Sequence, residues 1–144
     1  ITLEEVKRPT QIGRDIFKTG KISVETVHQI CDILNNFTQL MKDHDVGYYE
    51  DVSTTGMREA ENREYIIEQI LTRTGLRVRI ISNAEERFLT FKAVGQTIYD
   101  PRKFRGEGAI VVDIGSASVE ISVYYQGNLR YTRIVRVGPL YLRK

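Results

Sequence analysis

The residues best suited to chemistry in this sequence lie in a short stretch between two apolar runs. The first run, 109–112, is short enough for a buried strand and is followed by Asp113, and the second begins near residue 119. Small residues let backbone N–H groups approach an anion closely, and an aspartate at a strand end can hold a hydrated cation. The stretch predicts a phosphate or metal–phosphate site, although without other support such a pattern is more often a plain turn. The small residues are Gly115, Ser116, Ala117 and Ser118.

A second candidate is the pair of adjacent glutamates, Glu85 and Glu86, at the start of a predicted helix. Ser82 with Glu85 fits a capping box, in which two side chains satisfy free backbone N–H groups of the first turn. Asn83 with Glu86 fits it equally well. From the residue types alone a structural role is favoured, because acidic residues are common near the positive end of a helix.

The single cysteine and the two histidines show no metal-binding spacing. Cys31 falls on the apolar stripe of a predicted helix, and we interpret it as a small core residue. One cysteine excludes an internal disulfide and is typical of the reducing cytoplasm. His28 and His44 lie on or beside the polar side of the same helix and are interpreted as solvated.

The composition is that of an ordinary globular protein. Of the 144 residues, 41% are hydrophobic and 28% are charged, and the net charge of +2 is too small to argue for DNA or an anionic membrane. No apolar run approaches the length of a transmembrane helix, so we predict a cytoplasmic protein without membrane contact. The chain begins with Ile1 and ends without a turn or cap, so both ends look cut.

Hydrophobic spacing predicts the elements that position these groups. Ser23, Asn62 and Ser82 are suitable N-caps, and glycines at 75 and 95 are suitable helix ends. The helix and strand alternation predicts an α/β protein with a largely parallel sheet, followed by antiparallel hairpins with a turn signal at 126–128. The predicted helices are 23 to 43–45, 62–74 and 82–95. The predicted strands are 48–53, 77–81, 109–113, 118–125 and 129–137, with an edge strand and loop in 1–20, a turn at 54–56 and a loop at 96–108.

Four stretches together resemble motifs of the exopolyphosphatase/guanosine pentaphosphate phosphatase (Ppx/GppA) family. The family patterns, in chain order, are Thr-Ser-Ala-x-Arg-Glu-Ala-x-Asn, a Thr-Gly run that ends in Val-Ile-Ser, Gly-x-Glu-Glu-Ala, and the phosphate loop Asp-Ile-Gly-Gly-Gly-Ser-Thr-Glu. The matching residues are 53–62, 74–82, 83–87 and 113–120. The order is right, and the similarity runs through most of the chain.

The resemblance implies the actin-, Hsp70- and sugar-kinase-like fold, which is built on ribonuclease H-like lobes. Residues 1–106 would form an N-terminal lobe that lacks its first hairpin, with a mixed sheet flanked by helices. Residues 107–144 would form the opening β-meander of a second lobe. The family's first phosphate loop, Asp-x-Gly-Ser-Asn, is absent from these residues and is expected before Ile1.

The resemblance also implies roles for individual residues. Glu86 aligns with the general base that activates water, Asp113 with the aspartate that holds Mg²⁺, and Glu120 with a further acidic residue of the catalytic site. Arg58 would lie beside the anion. The phosphate would be lined by Gly115, Ser116, Ala117 and Ser118. Hydrolysis of a phosphoanhydride needs these parts: an oriented water, a base, a cation and donors to the developing charge.

The implied activity is release of terminal phosphate from inorganic polyphosphate or guanosine penta- or tetraphosphate, and the sequence leaves both substrates open. Ser116 and Ala117 replace two glycines of the family loop, and Arg87 replaces an alanine. Side chains in the loop narrow the space for phosphate. The alternative is therefore a degenerate, non-catalytic phosphate- or nucleotide-binding regulatory module. A homodimer of the full-length protein is compatible with the resemblance, since family dimers use regions outside these residues.

Overall fold

Five helices and five strands make up the part of the chain that the structure describes. The structure is a computed structural model, and the described residues are 5–97, 108–115 and 118–137. The elements pack as two compact units, of which the first ends at Ile81 and the second begins at Ser82. The helices are α1 (Ile12–Thr19), α2 (Val24–Asp43), α3 (Thr55–Glu59), α4 (Arg63–Thr74) and α5 (Asn83–Thr97). The strands are β1 (Val52–Ser53), β2 (Arg79–Ile80), β3 (Ala109–Ile114), β4 (Val119–Tyr125) and β5 (Asn128–Val135).

The long helix α2 begins at the predicted cap. Ser23 Oγ accepts a hydrogen bond from the backbone N–H of Thr26 at 3.2 Å. The Asp15 carboxylate strengthens this cap, because its Oδ2 accepts from Ser23 N at 3.0 Å and from Thr26 Oγ1 at 2.6 Å. The bonds from Ser23 N and Thr26 N satisfy backbone donors that have no partner within the helix. The predicted N-cap is confirmed, and Asp15 adds to it from α1.

The core of the first unit forms where α2 packs against α4. Val27, Ile66 and Ile70 are its largest fully buried side chains. Cys31 is 2% exposed, and burial raises the pKa of its thiol, so its interpretation as a core residue is confirmed. The buried cluster consists of Ile22, Val27, Ile30, Cys31, Met57, Ala60, Ile66, Ile70 and Leu76.

Helix α1 corrects the loop that was predicted in the second half of residues 1–20. The edge strand predicted at the start of this range falls largely on residues 1–4, which lie outside the described residues, and stays a prediction. Ile12 and Ile16 both pack against the core. Residues four apart share one face in a helix and also in a strand, so this pair alone does not distinguish the two. Gly13 lies inside the helix, and Gly20 ends it with a φ of 72°. Gly20 therefore marks the end of a helix, and Gly13 marks no turn.

Strands β1 and β2 form a short parallel pair. Val52 is aligned with Arg79, and Ser53 with Ile80. The pairing continues for one bond beyond the strand, because Ile81 N donates to Ser53 O at 3.0 Å. Both strands are shorter than predicted, and the predicted turn at 54–56 is instead the start of α3.

The second unit is an antiparallel sheet in the order β3-β4-β5, with α5 in contact with one of its faces. The rings of Phe91 in α5 and Tyr124 in β4 stack with centroids 3.9 Å apart. Gln126 and Gly127 join β4 and β5 with φ angles of 52° and 74°. Positive φ at both central residues is the signature of a type I′ hairpin, so the predicted turn is confirmed.

The opposite face of this sheet is apolar and exposed. Ile110 and Ile114 of β3 are 69% and 68% exposed, and Val112 lies between them on the same face. The prediction of a buried strand at 109–112 is therefore wrong for this face, because the described residues supply a covering helix on one side only. The predicted lobe boundary at 106–107 lies within residues 98–107, outside the described residues, and stays a prediction.

Candidate functional site

Arg58 is held at the carboxyl ends of the parallel strands. Its Nη1 donates to Ile81 O at 2.7 Å, just after β2, and its Nη2 donates to Thr55 Oγ1 at 2.9 Å, just after β1. In open α/β folds, ligands bind outside the carboxyl ends of the strands. The guanidinium is thus anchored at the edge of the sheet where an anion would be expected. Its predicted contact with an anion stays a prediction.

Asn62, the last residue of the first motif, has a role that the sequence does not indicate. It lies at the N-cap position of α4, but its side chain makes no capping hydrogen bond. Its Oδ1 accepts from Ile22 N at 3.0 Å and its Nδ2 donates to Ile22 O at 2.8 Å. These two bonds satisfy the backbone of a buried residue 40 positions away, for which no local sequence signal exists.

Glu86 lies in the first turn of α5. Ser82 directly precedes the helix, and its Oγ accepts from Glu85 N at 3.2 Å while its carbonyl accepts from Glu86 N at 2.9 Å. Ser82 therefore caps the helix through its side chain, which is the Ser82 half of the predicted capping box with Glu85. Glu86 is partly buried, and its assignment as general base stays a prediction.

Asp113 lies near the end of β3, exposed, and is aligned with Glu120 across the strand pair. The predicted phosphate loop follows it. Gly115 N donates to Ser118 O at 2.9 Å, so these two residues close the turn. Ser116 and Ala117, the predicted phosphate-lining residues between them, lie outside the described residues.

Glu120 forms an ion pair with Arg87 of α5. Its Oε1 accepts from Arg87 Nε and, at 3.2 Å each, from Ser122 Oγ and Thr132 Oγ1. The two charged side chains are only 17% and 19% exposed. The predicted catalytic role of Glu120 stays a prediction. Its carboxylate belongs to a hydrogen-bonded network between α5 and the sheet.

The second unit thus contains most of the predicted site. Glu86 and Arg87 lie near the start of α5, and Asp113 and Glu120 lie on adjacent strands. The Arg87–Glu120 pair joins these elements. Arg58 belongs to the first unit. The contribution of Arg87 was not predicted, because its partner is 33 positions away in the sequence.

A magnesium ion would find few protein ligands in the described part of the chain. No group of three or more His, Cys, Asp or Glu residues that could hold a metal is present among the described residues. Carboxylate oxygen suits Mg²⁺, which commonly uses one or two carboxylates and completes its shell with water and phosphate oxygens. Asp113 fits that pattern. Within the same described residues, no helix is long and apolar enough to span a membrane.

Comparison with known proteins identifies relatives of this chain. The Ppx/GppA phosphatase family matches residues 1–140. The chain is 22% identical over 122 residues to a bifunctional 3-dehydroquinate synthase/phosphatase of Fusobacterium nucleatum, covering 83% of this chain and 18% of that protein. It is 26% identical over 107 residues to exopolyphosphatase 1 of Mycobacterium leprae, covering 72% and 30%. The chain therefore spans less than a third of the length of these two relatives.

Solved structures agree with this relationship. A Ppx/GppA family member of Aquifex aeolicus matches with a TM-score of 0.74 and 24% identity, covering 94% of this chain and 42% of that one. An exopolyphosphatase-like protein matches with a TM-score of 0.75 and 25% identity over the same shares of the two chains. The predicted α/β fold, with parallel and antiparallel sheets, is confirmed. With its fold and nearly its whole length matched, the chain belongs to the Ppx/GppA phosphatase family.

Proposed function

We propose that the protein carrying this chain is a phosphoanhydride hydrolase that releases terminal phosphate from polyphosphate by metal-assisted attack of water. One observation carries the proposal. Glu86, at the start of α5, and Asp113, on β3, belong to one compact unit whose helix and sheet are joined by the Arg87–Glu120 pair. A base and a cation ligand in one unit are what this reaction requires.

The roles follow from the chemistry of each residue. Glu86 would accept a proton from the attacking water. Asp113 would hold Mg²⁺, which when bound would offset negative charge on the phosphoryl oxygens. Arg58 would contact the anion. The N–H of Gly115 already donates to Ser118 O. Gly115 would therefore help the phosphate to bind by leaving space for it, since glycine has no side chain. Ser116, Ala117 and Ser118 would line the same phosphate loop.

Polyphosphate is the preferred substrate in this proposal, because curated relatives of the chain are exopolyphosphatases. Guanosine penta- or tetraphosphate is the second candidate, and for either substrate the proposal is of a cytoplasmic protein. A non-catalytic binding module remains the alternative. Ser116 and Ala117, in place of two glycines of the family motif, favour it.

The first test is phosphate release by the intact protein from polyphosphate and from guanosine pentaphosphate, with Mg²⁺. General acid–base catalysis typically contributes about 10²–10⁴-fold, so we expect Glu86→Gln to lower kcat by at least about 100-fold. Glu85→Gln is the matched control, because it neutralises the neighbouring glutamate in the same helical turn. Equal activities of the two variants would remove Glu86 as the base. Tight binding of polyphosphate without release of phosphate would favour the non-catalytic binding module.

A further inference from the structure

We propose that Glu120 is a positioning residue rather than a catalytic one. Through its ion pair with Arg87 it fixes the first turn of α5, and with it Glu86, against the strands that carry Asp113. The role of Glu86 and Asp113 in this inference rests on the proposed function. The fixing of α5 by the pair does not, and it can be measured separately.

The Glu120 carboxylate is engaged by several hydrogen bonds. Three donors meet at its Oε1: Arg87 Nε, Ser122 Oγ and Thr132 Oγ1. Ser122 is only 3% exposed, and its hydroxyl also lies 3.2 Å from that of Thr132. An ionised carboxylate only accepts hydrogen bonds, and here one of its oxygens accepts from three donors of α5 and the sheet. This oxygen is therefore engaged in holding Arg87.

The ion pair shares one face of the helix and one face of the sheet with an aromatic contact. Arg87 and Phe91 are four residues apart and lie on one side of α5. They contact Glu120 and Tyr124, which are also four residues apart and lie on one face of β4. The ion pair and the ring stack thus act together. The stack fixes the middle of α5, and the ion pair fixes its beginning.

The Arg87–Glu120 pair lies next to both proposed reacting groups. Glu86 directly precedes Arg87, and consecutive residues differ by about 100° around a helix axis. Holding Arg87 therefore sets the direction of Glu86 without blocking it. On the sheet, Glu120 is the aligned partner of Asp113. The pair therefore links Arg87, which follows the proposed base Glu86, to Glu120, which is aligned with the proposed cation ligand Asp113. The pair is possible because this chain has Arg87 where the family motif has alanine.

The experiment compares Arg87→Met, Glu120→Met and the double variant in the intact protein, with Arg87→Lys as the conservative change. A misplacement of about 1 Å can cost about 100-fold in rate. We expect each single variant to lower kcat by about 10- to 100-fold with little change in KM. The double variant should recover part of the loss, because it leaves no unpaired buried charge, and Arg87→Lys should retain most of the activity.

A catalytic Glu120 would behave differently. Glu120→Met would then abolish activity whether or not Arg87 is present, while Arg87→Met would stay active, and this result would overturn the proposal. Hydrogen exchange of the α5 amides supplies the readout that does not need activity. Arg87→Met should speed exchange in the first turns of α5, whereas Lys92→Met, an exposed change on the same helix, should not.

The exchange measurement separates the two proposals. If the intact protein releases no phosphate but Arg87→Met still speeds exchange in α5, the proposed function fails and the fixing of the helix stands. If exchange in α5 is the same in Arg87→Met and in the parent protein, the positioning role fails, whatever the activity. Glu120→Gln, which keeps the size of the side chain, should reproduce the exchange result of Arg87→Met if larger changes prevent folding.

Discussion

Single polar side chains join segments of the first unit that are distant in sequence. Asn62 exchanges two hydrogen bonds with the backbone of Ile22, and Asp15 accepts two at the start of α2. Leaving such a buried group unpaired costs about 1–3 kcal/mol. These side chains therefore fix where α1 and α4 join the core, although neither belongs to the hydrophobic cluster.

We expect Asp15→Asn to lower the free energy of unfolding near neutral pH and to remove part of its pH dependence. The Thr26 hydroxyl, 2.6 Å away, lowers the pKa of Asp15 in the folded chain, although partial burial opposes this effect. A folded pKa below the unfolded value of about 3.9 adds stability above about pH 4, which is lost as the pH falls through the folded pKa. Urea unfolding across that range should give curves for the two proteins that converge at low pH.

Asp32→Asn is the control for this prediction, because Asp32 is an exposed aspartate on α2. It should leave the pH dependence close to that of the parent protein. A difference between Asp15→Asn and the parent protein that stayed constant from neutral to acidic pH would contradict the assigned role of the carboxylate.

At the scale of elements, local signals decided what could be predicted. Ser23 and Ser82 cap α2 and α5 as predicted, because a cap and its donors are three residues apart. The hairpin at 126–128 is equally local. The eight residues of α1 are too few for a clear helical period, and β1 and β2 have two residues each. Their formation depends on packing and on strand pairing, which the local sequence does not encode.

The candidate site follows the same rule. Motif order indicated Glu86 and Asp113 as residues of one site. The Arg87–Glu120 pair and the contact of Arg58 with Ile81 were not predicted, since their partners lie 33 and 23 positions away. Residue type and spacing therefore suggested the reacting groups, whereas the contacts that hold them required the folded chain.

The hairpin between β4 and β5 allows a prediction for this element. Gln126 and Gly127 both have positive φ, which costs an ordinary side chain about 1–2 kcal/mol. Gly127→Ala should therefore lower the free energy of unfolding by about 1 kcal/mol. Gln126→Asn should raise it, because asparagine tolerates this conformation better. Thermal or urea unfolding of the variants measures both effects.

Gly47→Ala is the control for the hairpin variants, because Gly47 has no positive φ and nothing within 4 Å of an added Cβ. It should change stability little. If Gly47→Ala and Gly127→Ala destabilised the protein equally, the loss could not be assigned to the turn.

For the whole molecule, the exposed face of the β3-β4-β5 sheet matters most. Ile110, Val112 and Ile114 follow one another on this face, next to Ile121 and Val123 of β4. Contiguous exposed apolar surface of this kind promotes association. Among the described residues, α5 packs on one face of this sheet and the apolar side chains of the other face are exposed, which is expected to limit the solubility of the 144-residue chain.

We expect the 144-residue chain to self-associate with increasing concentration, and Ile110→Lys to reduce this association. A charge on the apolar face disfavours its burial against another molecule. Light scattering over a concentration series measures the effect. Thr72→Lys adds the same charge to an exposed position on α4 and should not reduce association. A monodisperse parent chain at all concentrations, or equal effects of the two lysines, would contradict the prediction.

The buried cysteine gives the first unit its own chemical reporter. Cys31 is the single cysteine of the 144 residues, it lies in the contact between α2 and α4, and burial raises the pKa of its thiol. A thiol reagent reacts with the thiolate, so its reaction with Cys31 requires this core to open. The labelling rate of Cys31 thus measures the opening of the first unit, and no substitution is needed. The second unit has no cysteine and does not contribute to the signal.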